Sequence, residues 1–381
     1  MKIAIAGTRG IPARYGGFET FAEELSGRLV ARGHEVFVYC RAGNADVSSA
    51  ERAGRPRFQA HRILLPALRH KYFETVSHTL LSSLDALRRD FDVVLLCNAA
   101  NAFVLPLLRA ARIPVAINVD GIERHRRKWN AAGKLVYAIG ESFSALFANQ
   151  VVADANVIAD YYRSRYGIEP VTIPYGAEFP SEEDSDVLER LGVEPQNYVL
   201  YVSRFEPENN PLEVVEAYEG VGDKASPHPT PNSPPPKLIM LGAASYARDL
   251  DAALKRHASD RILFPGALYG RDYRTLQRNA LIYIQATEVG GTHPAMIEAM
   301  ASGGCVLAHD TPENREVGGD AVGYFRLRPS ETLSGTLREF LASPPLREQM
   351  RIVARARAGE RYSWSAVTDA YERLFAEIVR H

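Results

Sequence analysis

The sequence predicts an α/β protein built from two doubly wound parallel sheets. Short apolar runs alternate with longer segments of helical periodicity, which is the pattern of βαβ units. A polar segment around residues 179–186 separates these runs into two series. The chain has 381 residues, more than one hydrophobic core usually organises, so two domains of ordinary size are expected.

The apolar runs define the expected strands and domains. The first series predicts strands at residues 3–6, 36–39, 93–97, 115–119, 151–153 and 171–173, and the second at residues 198–202, 238–241, 262–264, 281–284 and 306–308. An N-terminal domain is therefore expected over residues 1–180 and a second domain over 181–362. A final helix over 363–381 is free to cross back onto the first domain. The proline-rich residues 226–236 predict a surface loop.

Composition excludes several classes of protein. The 45 basic and 46 acidic residues leave a formal net charge of -1, so the overall charge gives no indication of a nucleic-acid partner. The three cysteines lie far apart in apolar runs, which predicts buried thiols. No run approaches the roughly 18 apolar residues of a membrane span, and no signal-peptide pattern opens the chain. We expect a cytoplasmic protein that is free to lie against the inner face of a membrane.

Gly16 and Gly17 stand between the first strand and a helix predicted over residues 20–32. Glycines at this point let backbone amides approach a ligand and direct the positive end of the helix at an anion. A diphosphate or a sugar would fit there, and an ordinary βα turn is the alternative. The spacing is not Gly-x-Gly-x-x-Gly, which argues against a dinucleotide site.

Arg204 directly follows the first strand of the second series. Open α/β sheets bind ligands at the carboxyl ends of their strands, and the planar guanidinium can hold two phosphate oxygens. The alternative is a salt bridge to Glu206 or Glu208.

Residues 287–308 predict a strand end, a glycine loop, a helix and another strand. The loop of Gly290, Gly291 and Thr292 offers amides to a phosphate, and His293 could touch the phosphate or the sugar. Glu298, inside the helix, is placed to accept hydrogen bonds from a ribose.

Asp120 and the basic cluster after it are the remaining candidates. Asp120 follows the strand at residues 115–119, where a carboxylate can accept a proton or hold a sugar; a helix cap is the alternative. The cluster at residues 124–128 contains Arg126 and Lys128 and adjoins Trp129. It could meet lipid-linked phosphates at a membrane surface, or form a solvated basic turn.

No metal site is predicted. The Asp-x-Asp triplets at residues 184–186 and 249–251 lie in the polar segment and in a helix, and neither ends a buried strand. The histidines show no paired ligand spacing. We therefore expect no cofactor or metal.

Together these motifs resemble the retaining GT-B glycosyltransferases of the family 4 type. The stretches at residues 8–21, 120–123 with Lys128 and Trp129, 173–176, 206–210 and 288–294 resemble the rhamnosyltransferase-like (DUF1972) subfamily, which builds bacterial surface polysaccharides. The resemblance implies two Rossmann-like domains facing a cleft that holds a nucleotide sugar. It makes Asp120 the first candidate for a catalytic carboxylate and Glu208 the second.

The chain departs from the broad family at two positions. Asn209 stands five residues after Arg204, where the broad family has lysine, and Gly290 stands eight before Glu298, where it has glutamate. We interpret this as a modified donor site, with Glu288 as the displaced glutamate. Arg9 and Arg14 are candidates for the lost cation.

The resemblance implies metal-independent transfer of a hexose or deoxyhexose to a glycan or lipid-linked sugar. The implied donor is dTDP-rhamnose, bound by Asn209 and the loops above, while Arg204 neutralises the leaving diphosphate. A nucleotide-sugar 2-epimerase on the same scaffold, and a catalytically degenerate nucleotide- or glycan-binding protein, are the alternatives.

Overall fold

The computed structural model describes residues 1–13, 16–42, 60–68, 73–126, 129–178, 185–222, 236–244, 248–327 and 331–380. The chain divides into two compact units. The first unit comprises Met1–His125, Trp129–Gly176 and Trp364–His381, and the second comprises Arg126–Lys128 and Ala177–Ser363. The loop predicted at residues 226–236 falls almost entirely outside the described residues.

Every strand runs parallel to its neighbours. The strands are β1 (Lys2–Ala6), β2 (Glu35–Arg41), β3 (His61–Leu65), β4 (Val93–Cys97), β5 (Val115–Val119), β6 (Gln150–Ala153), β7 (Val171–Thr172), β8 (Tyr198–Val202), β9 (Lys237–Leu241), β10 (Ile262–Gly266), β11 (Ile282–Gln285), β12 (Val306–His309) and β13 (Gly323–Phe325). Among the described residues, the first unit holds a sheet in the order β3-β2-β1-β4-β5-β6-β7 and the second one in the order β10-β9-β8-β11-β12-β13.

Helices connect the strands in both units. They are α1 (Gly17–Ala31), α2 (Phe73–Ala86), α3 (Leu105–Ala110), α4 (Ala131–Phe147), α5 (Asn156–Tyr166), α6 (Val187–Leu191), α7 (Pro211–Glu219), α8 (Arg248–Lys255), α9 (Gly270–Asn279), α10 (Pro294–Ala301), α11 (Pro312–Gly318), α12 (Glu331–Ala342), α13 (Pro344–Arg361) and α14 (Trp364–Arg380). Short 3₁₀ turns occupy Ala99–Val104, Glu123–His125, Pro207–Asn209 and Gly319–Ala321.

The central strands read as continuous apolar runs because both faces of each sheet are covered. Every residue of β4 and of β5 is buried. The last helix, α14, packs on the first unit: Asn118 Nδ2 donates to the Tyr371 hydroxyl over 2.7 Å, and the Tyr371 ring lies 5.4 Å from that of Phe21. The predicted α/β class with two doubly wound sheets is confirmed.

Each sheet has a point where the strand order reverses, between β1 and β4 in the first unit and between β8 and β11 in the second. The loops leaving neighbouring strands diverge there, which opens a crevice at the carboxyl ends of the strands. Both predicted glycine loops follow a strand at one of these points.

Two edge strands were not predicted. β3 begins with His61 and Arg62 and exposes Leu64, so its apolar pattern is interrupted. β13 is only three residues long. Edge strands are covered on fewer sides than central ones, so they carry a weaker apolar signal.

The three cysteines are buried and free of disulfides, as expected. Within the described ranges, the helices are too short or too polar for any of them to span a bilayer.

Candidate functional site

The loops after β8 and β11 are fastened to each other at the switch point of the second sheet. Asn210 Nδ2 donates to the Ala286 carbonyl over 2.8 Å, and the Glu288 amide donates to the Glu208 carbonyl over 2.9 Å. Asn210 is buried and holds a left-handed backbone conformation at φ 54°. The two predicted donor loops therefore form one surface at this edge.

Arg204 lies at the carboxyl end of β8 with 41% of its side chain exposed. Its Nη1 is 3.7 Å from Glu206 Oε1, beyond hydrogen-bonding distance. The alternative of a salt bridge to Glu206 is thus present only as a long contact. The guanidinium remains accessible to a ligand.

Asn209 holds the backbone of the loop that carries Arg204. Its side-chain amide donates to the Arg204 carbonyl over 2.7 Å, and its own carbonyl accepts a hydrogen bond from the buried Tyr201 hydroxyl. Asn209 is itself buried. Asn209 therefore has a structural role in the loop that carries Arg204.

The second loop leads into α10 through Gly290, Gly291, Thr292 and His293. His293 is the N-cap residue, and its side chain makes no cap. Its carbonyl accepts hydrogen bonds from the amides of Met296 and Ile297 over 3.0 and 3.1 Å, and Pro294 between them has no amide hydrogen. A Cβ at position 290 would lie 2.5 Å from His293 Cε1. The His293 ring therefore fills the space that a larger residue at position 290 would need.

His293 is neutral at ordinary pH. Burial lowers its pKa to about 4, and the nearby positive charge of Arg126 acts in the same direction. Its Nε2 atom is buried and has no hydrogen-bond partner in the described structure. A neutral imidazole can donate or accept a hydrogen bond beside the α10 terminus, but it adds no cation there.

Glu298 and Glu288 flank this loop. On α10, Glu298 accepts a hydrogen bond from the Tyr273 hydroxyl, which holds the carboxylate in a fixed direction. Glu288 lies near His309, and its charge partly offsets the burial that lowers the pKa of that histidine. Both acids belong to the second unit, together with Arg204.

Arg126 occupies a different position from the one expected. Its side chain is only 8% exposed, and its Nη1 lies 3.8 Å from Glu206 and 3.7 Å from Glu208. This burial argues against both alternatives for Arg126, the membrane contact and the solvated basic turn. Lys128 lies outside the described residues. Trp129 donates to Glu123 over 3.3 Å and packs on the Tyr137 ring, 5.2 Å away.

Glu208 is fully buried at 0% exposure. Neither carboxylate oxygen has a hydrogen-bond partner in the described structure, and the nearest cation is Arg126. As the chain stands, Glu208 faces Arg126 and is closed to solvent, so it is placed to orient that guanidinium.

In the first unit, Gly16 is the extended N-cap of α1, which begins at Gly17. Two acids of α1 already hold amides of the preceding loop: Glu19 accepts from Arg9 over 2.9 Å, and Glu23 accepts from Ala13 over 2.6 Å. Burial raises the pKa of Glu19. A carboxylate among these amides disfavours a second anion and leaves a neutral ligand, such as a sugar, as the better fit. Arg14 is outside the described residues.

Asp120 follows β5 and is partly exposed. Gly121 after it has φ 69°, which gives the sharp turn expected. Burial raises the pKa of Tyr175 well above its usual range, and the charge of Asp120 contributes to that rise. Asp120 thus lies at the carboxyl edge of the first sheet with a buried phenol nearby.

Three of these features escaped the sequence analysis: Glu19, Asn210 and the pairing of Arg126 with Glu208. A signal was available for Glu19, since an acid in the first turn of a helix favours its positive end. The others depend on contacts between distant segments.

In the described part of the chain, no three His, Cys, Asp or Glu side chains come together as metal ligands do. Asp249 and Asp251 lie in α8, and Asp184 is outside the described residues.

Two family models match the chain. Residues 186–357 match the family described as Glycosyl transferases group 1, and residues 1–178 match the family described as Domain of unknown function (DUF1972). No curated protein matches the chain.

Several solved structures have the same fold over nearly the whole chain. Sucrose-phosphate synthase from Thermosynechococcus elongatus is 17% identical with a TM-score of 0.82, covering 99% of this chain and 98% of that one. HepE of Anabaena, in complex with UDP-glucose, is 15% identical with a TM-score of 0.75, covering 99% and 100%. An alpha,alpha-trehalose-phosphate synthase (UDP-forming) from Burkholderia vietnamiensis is 11% identical with a TM-score of 0.70, covering 99% and 100%. The likeness shows the GT-B fold of two Rossmann-like domains. The chain is thus similar to the group 1 glycosyltransferases over residues 186–357 and to the DUF1972 family over residues 1–178.

Proposed function

We propose that this glycosyltransferase takes its sugar from a nucleoside diphosphate donor held at the switch point of the second sheet. One observation carries the proposal: the loops after β8 and β11 are joined by hydrogen bonds and bring the half-exposed Arg204 and the Gly290–Thr292 loop to the same edge of the second sheet. A guanidinium and the backbone amides of a glycine loop form a receptor for a diphosphate. Glu298, oriented by Tyr273, accepts the ribose hydroxyls.

Arg126 supplies the second cation of this site in place of the missing lysine. It belongs to the second unit, lies beside Glu206 and Glu208, and acts on His293 through its charge. Glu208 then serves as a positioning residue that holds Arg126. This assignment replaces Arg9 and Arg14 as the candidates for the lost charge.

The chemistry proposed is transfer with retention of anomeric configuration and without a metal. The bond between the sugar C1 and the diphosphate breaks, the acceptor oxygen bonds to C1 on the same face, and its proton passes to the leaving diphosphate. The protein contributes positioning and charge stabilisation, chiefly through Arg204. His293, Gly290, Gly291 and Thr292 surround the diphosphate and the sugar.

The first unit holds the acceptor in this proposal. Gly16 and Gly17 adjoin the buried Glu19, so their loop suits a neutral sugar, and Asp120 accepts a hydrogen bond from the acceptor hydroxyl. The motif resemblance favours rhamnose from dTDP-rhamnose as the transferred sugar and a glycan or lipid-linked sugar of a surface polysaccharide as the acceptor. The UDP bound to HepE makes UDP-sugars the first donors to compare.

A thermal-shift screen tests the proposal. UDP, dTDP, GDP and ADP would each be added, with the matching monophosphates as controls. A ligand at a hundred times its Kd adds about 2.7 kcal/mol, which raises the unfolding midpoint of a chain of this length by roughly 3 °C. We expect one diphosphate to produce this shift and its monophosphate to produce less, since the pyrophosphate is the anchor. No shift with any diphosphate or its sugar would contradict the proposal.

A further inference from the structure

The loops after β1 and β4 are joined at the switch point of the first sheet. Asn101 is fully buried, and its Nδ2 donates to the Cys97 carbonyl over 2.7 Å and to the Gly7 carbonyl over 3.2 Å. Gly7 has φ 89°, and a Cβ there would lie 2.4 Å from the Cys97 carbonyl oxygen, so the two loop backbones touch. The arrangement parallels the joining of the loops after β8 and β11 by Asn210. The carboxyl edge of the first sheet is therefore also built as a ligand crevice.

Asn98, which directly follows β4, holds a backbone conformation that asparagine rarely adopts. Its φ is 74° and its ψ is 127°. Asparagine visits positive φ mainly in the left-handed region, at a ψ of roughly 30–60°, and the ψ of Asn98 lies well outside it. Glycine would adopt this conformation without strain, so the asparagine side chain contributes something there that glycine cannot.

Three hydrogen bonds hold Asn98 in this conformation. Its amide donates to the Asn118 carbonyl over 2.9 Å, and its carbonyl accepts from the Asn101 amide over 3.0 Å. Its Oδ1 accepts from the Ala100 amide over 2.9 Å and so caps the Ala99–Val104 turn. The backbone and the side-chain oxygen are thus fixed by the protein itself.

The Nδ2 amide of Asn98 has no such partner. It makes no hydrogen bond to any residue that the structure describes. Asn98 is partly exposed, and Nδ2 is not closed off from solvent. A cap needs only an oxygen, which aspartate or serine would supply as well. The amide nitrogen is therefore the part of the side chain that is available to a ligand.

Asn98 lies between the two elements that the proposed function assigns to the acceptor. The strand order β1-β4-β5 places the end of β4 between the glycine loop after β1 and Asp120, which follows β5. Its hydrogen bond to Asn118, two residues before Asp120, fixes the second of these neighbours. An ionised Asp120 can only accept hydrogen bonds, whereas the Asn98 amide can only donate them. A sugar is complementary to this pair because its hydroxyls do both.

We propose that Asn98 binds the acceptor sugar by donating a hydrogen bond from Nδ2 to one of its oxygens beside Asp120. The inference rests on the proposed function, since it assigns a further residue to the acceptor site of the first unit. Asn98 binds and orients the sugar and takes no part in proton transfer. Its hydrogen bonds to the protein fix the amide before the sugar arrives, so less side-chain freedom is lost on binding.

Two variants test this through sugar transfer to 4-nitrophenyl glycosides of glucose, galactose, rhamnose and N-acetylglucosamine, with UDP-glucose and dTDP-rhamnose as donors. Asn98→Gly removes the side chain and relieves the backbone strain. Asn98→Asp keeps the oxygen that caps Ala100 and replaces only the amide. We expect both variants to raise the KM of the acceptor by about three- to tenfold, which corresponds to one hydrogen bond, and to leave the KM of the donor unchanged.

Asn149→Asp is the matched control. Asn149 is exposed, and its Oδ1 likewise accepts from a backbone amide, that of Val115 over 2.9 Å. Val115 begins β5, so this asparagine lies at the opposite edge of the same sheet. The same chemical change there should leave both KM values within about twofold of the wild type, because salt screens the added charge.

An unchanged acceptor KM in either Asn98 variant would overturn the proposal. In Asn98→Asp it would show that only the capping oxygen matters, and in Asn98→Gly it would trace any effect of aspartate to its charge. The diphosphate-induced thermal shift tests the donor site separately, because it needs no acceptor. A wild type that shows this shift but transfers to none of the glycosides would count against the acceptor site and Asn98 together, whereas the absence of the shift would contradict the proposed function itself.

Discussion

Replacing Arg204 by alanine is expected to lower kcat/KM for sugar transfer by about 10²- to 10³-fold, the range seen when one charge-stabilising donor is lost from an active site. The half-exposed guanidinium contributes little to stability, so the unfolding midpoint should not change. Arg204→Lys should recover only part of the activity, because the ammonium keeps the charge but not the planar fork.

The control for Arg204 is Arg256→Ala. Arg256 is exposed just beyond the end of α8, and helices of this fold run against the strands, so it lies at the opposite edge of the same sheet. The activity of Arg256→Ala should stay within about twofold of the wild type, because salt screens the long-range effect of losing one exposed positive charge. Equal losses in both variants, or near-normal turnover in Arg204→Ala, would remove Arg204 from the donor site.

Replacing Asn210 by alanine should lower both stability and donor affinity. The variant leaves the buried Ala286 carbonyl without its hydrogen bond, at about 1–3 kcal/mol, and holds an alanine in the left-handed region, at roughly 1–2 kcal/mol more. The loops after β8 and β11 also lose one of the hydrogen bonds that join them, so the diphosphate should raise the unfolding midpoint of the variant by less than it raises that of the wild type.

Asn210→Gly separates these two effects. Glycine adopts the left-handed conformation without strain but makes no side-chain hydrogen bond. It should therefore be more stable than Asn210→Ala while losing as much donor affinity. Urea unfolding and nucleotide titration of the three proteins check this. If both variants bind the diphosphate as tightly as the wild type, the fastening of the loops has no role in binding.

The layered fold can be predicted from the sequence because the buried central strands have a clear apolar pattern. Strands such as β4 and β5 are covered on both faces and appear as unbroken apolar runs. β3 and β13 escaped because edge strands are short or interrupted by polar residues. The helical period of α2 is equally visible, but periodicity shows only that one face is apolar. It does not show that this face points outward.

The candidate site is predictable where it depends on position along one strand or loop. Arg204 and Gly290–His293 lie at the carboxyl edge because they directly follow buried strands. The position of Arg126 could not be anticipated, because it depends on a contact with Glu206 and Glu208 some eighty residues away. The roles of Asn209 and Glu19 likewise depend on hydrogen bonds to loop backbone, which no spacing rule encodes.

Crystals grown with UDP or dTDP would test the central claim most directly, by locating the diphosphate. We expect its oxygens within hydrogen-bonding distance of the Arg204 guanidinium and of at least one amide among residues 290–293. A diphosphate bound elsewhere on the chain, with Arg204 still directed into solvent, would contradict the account.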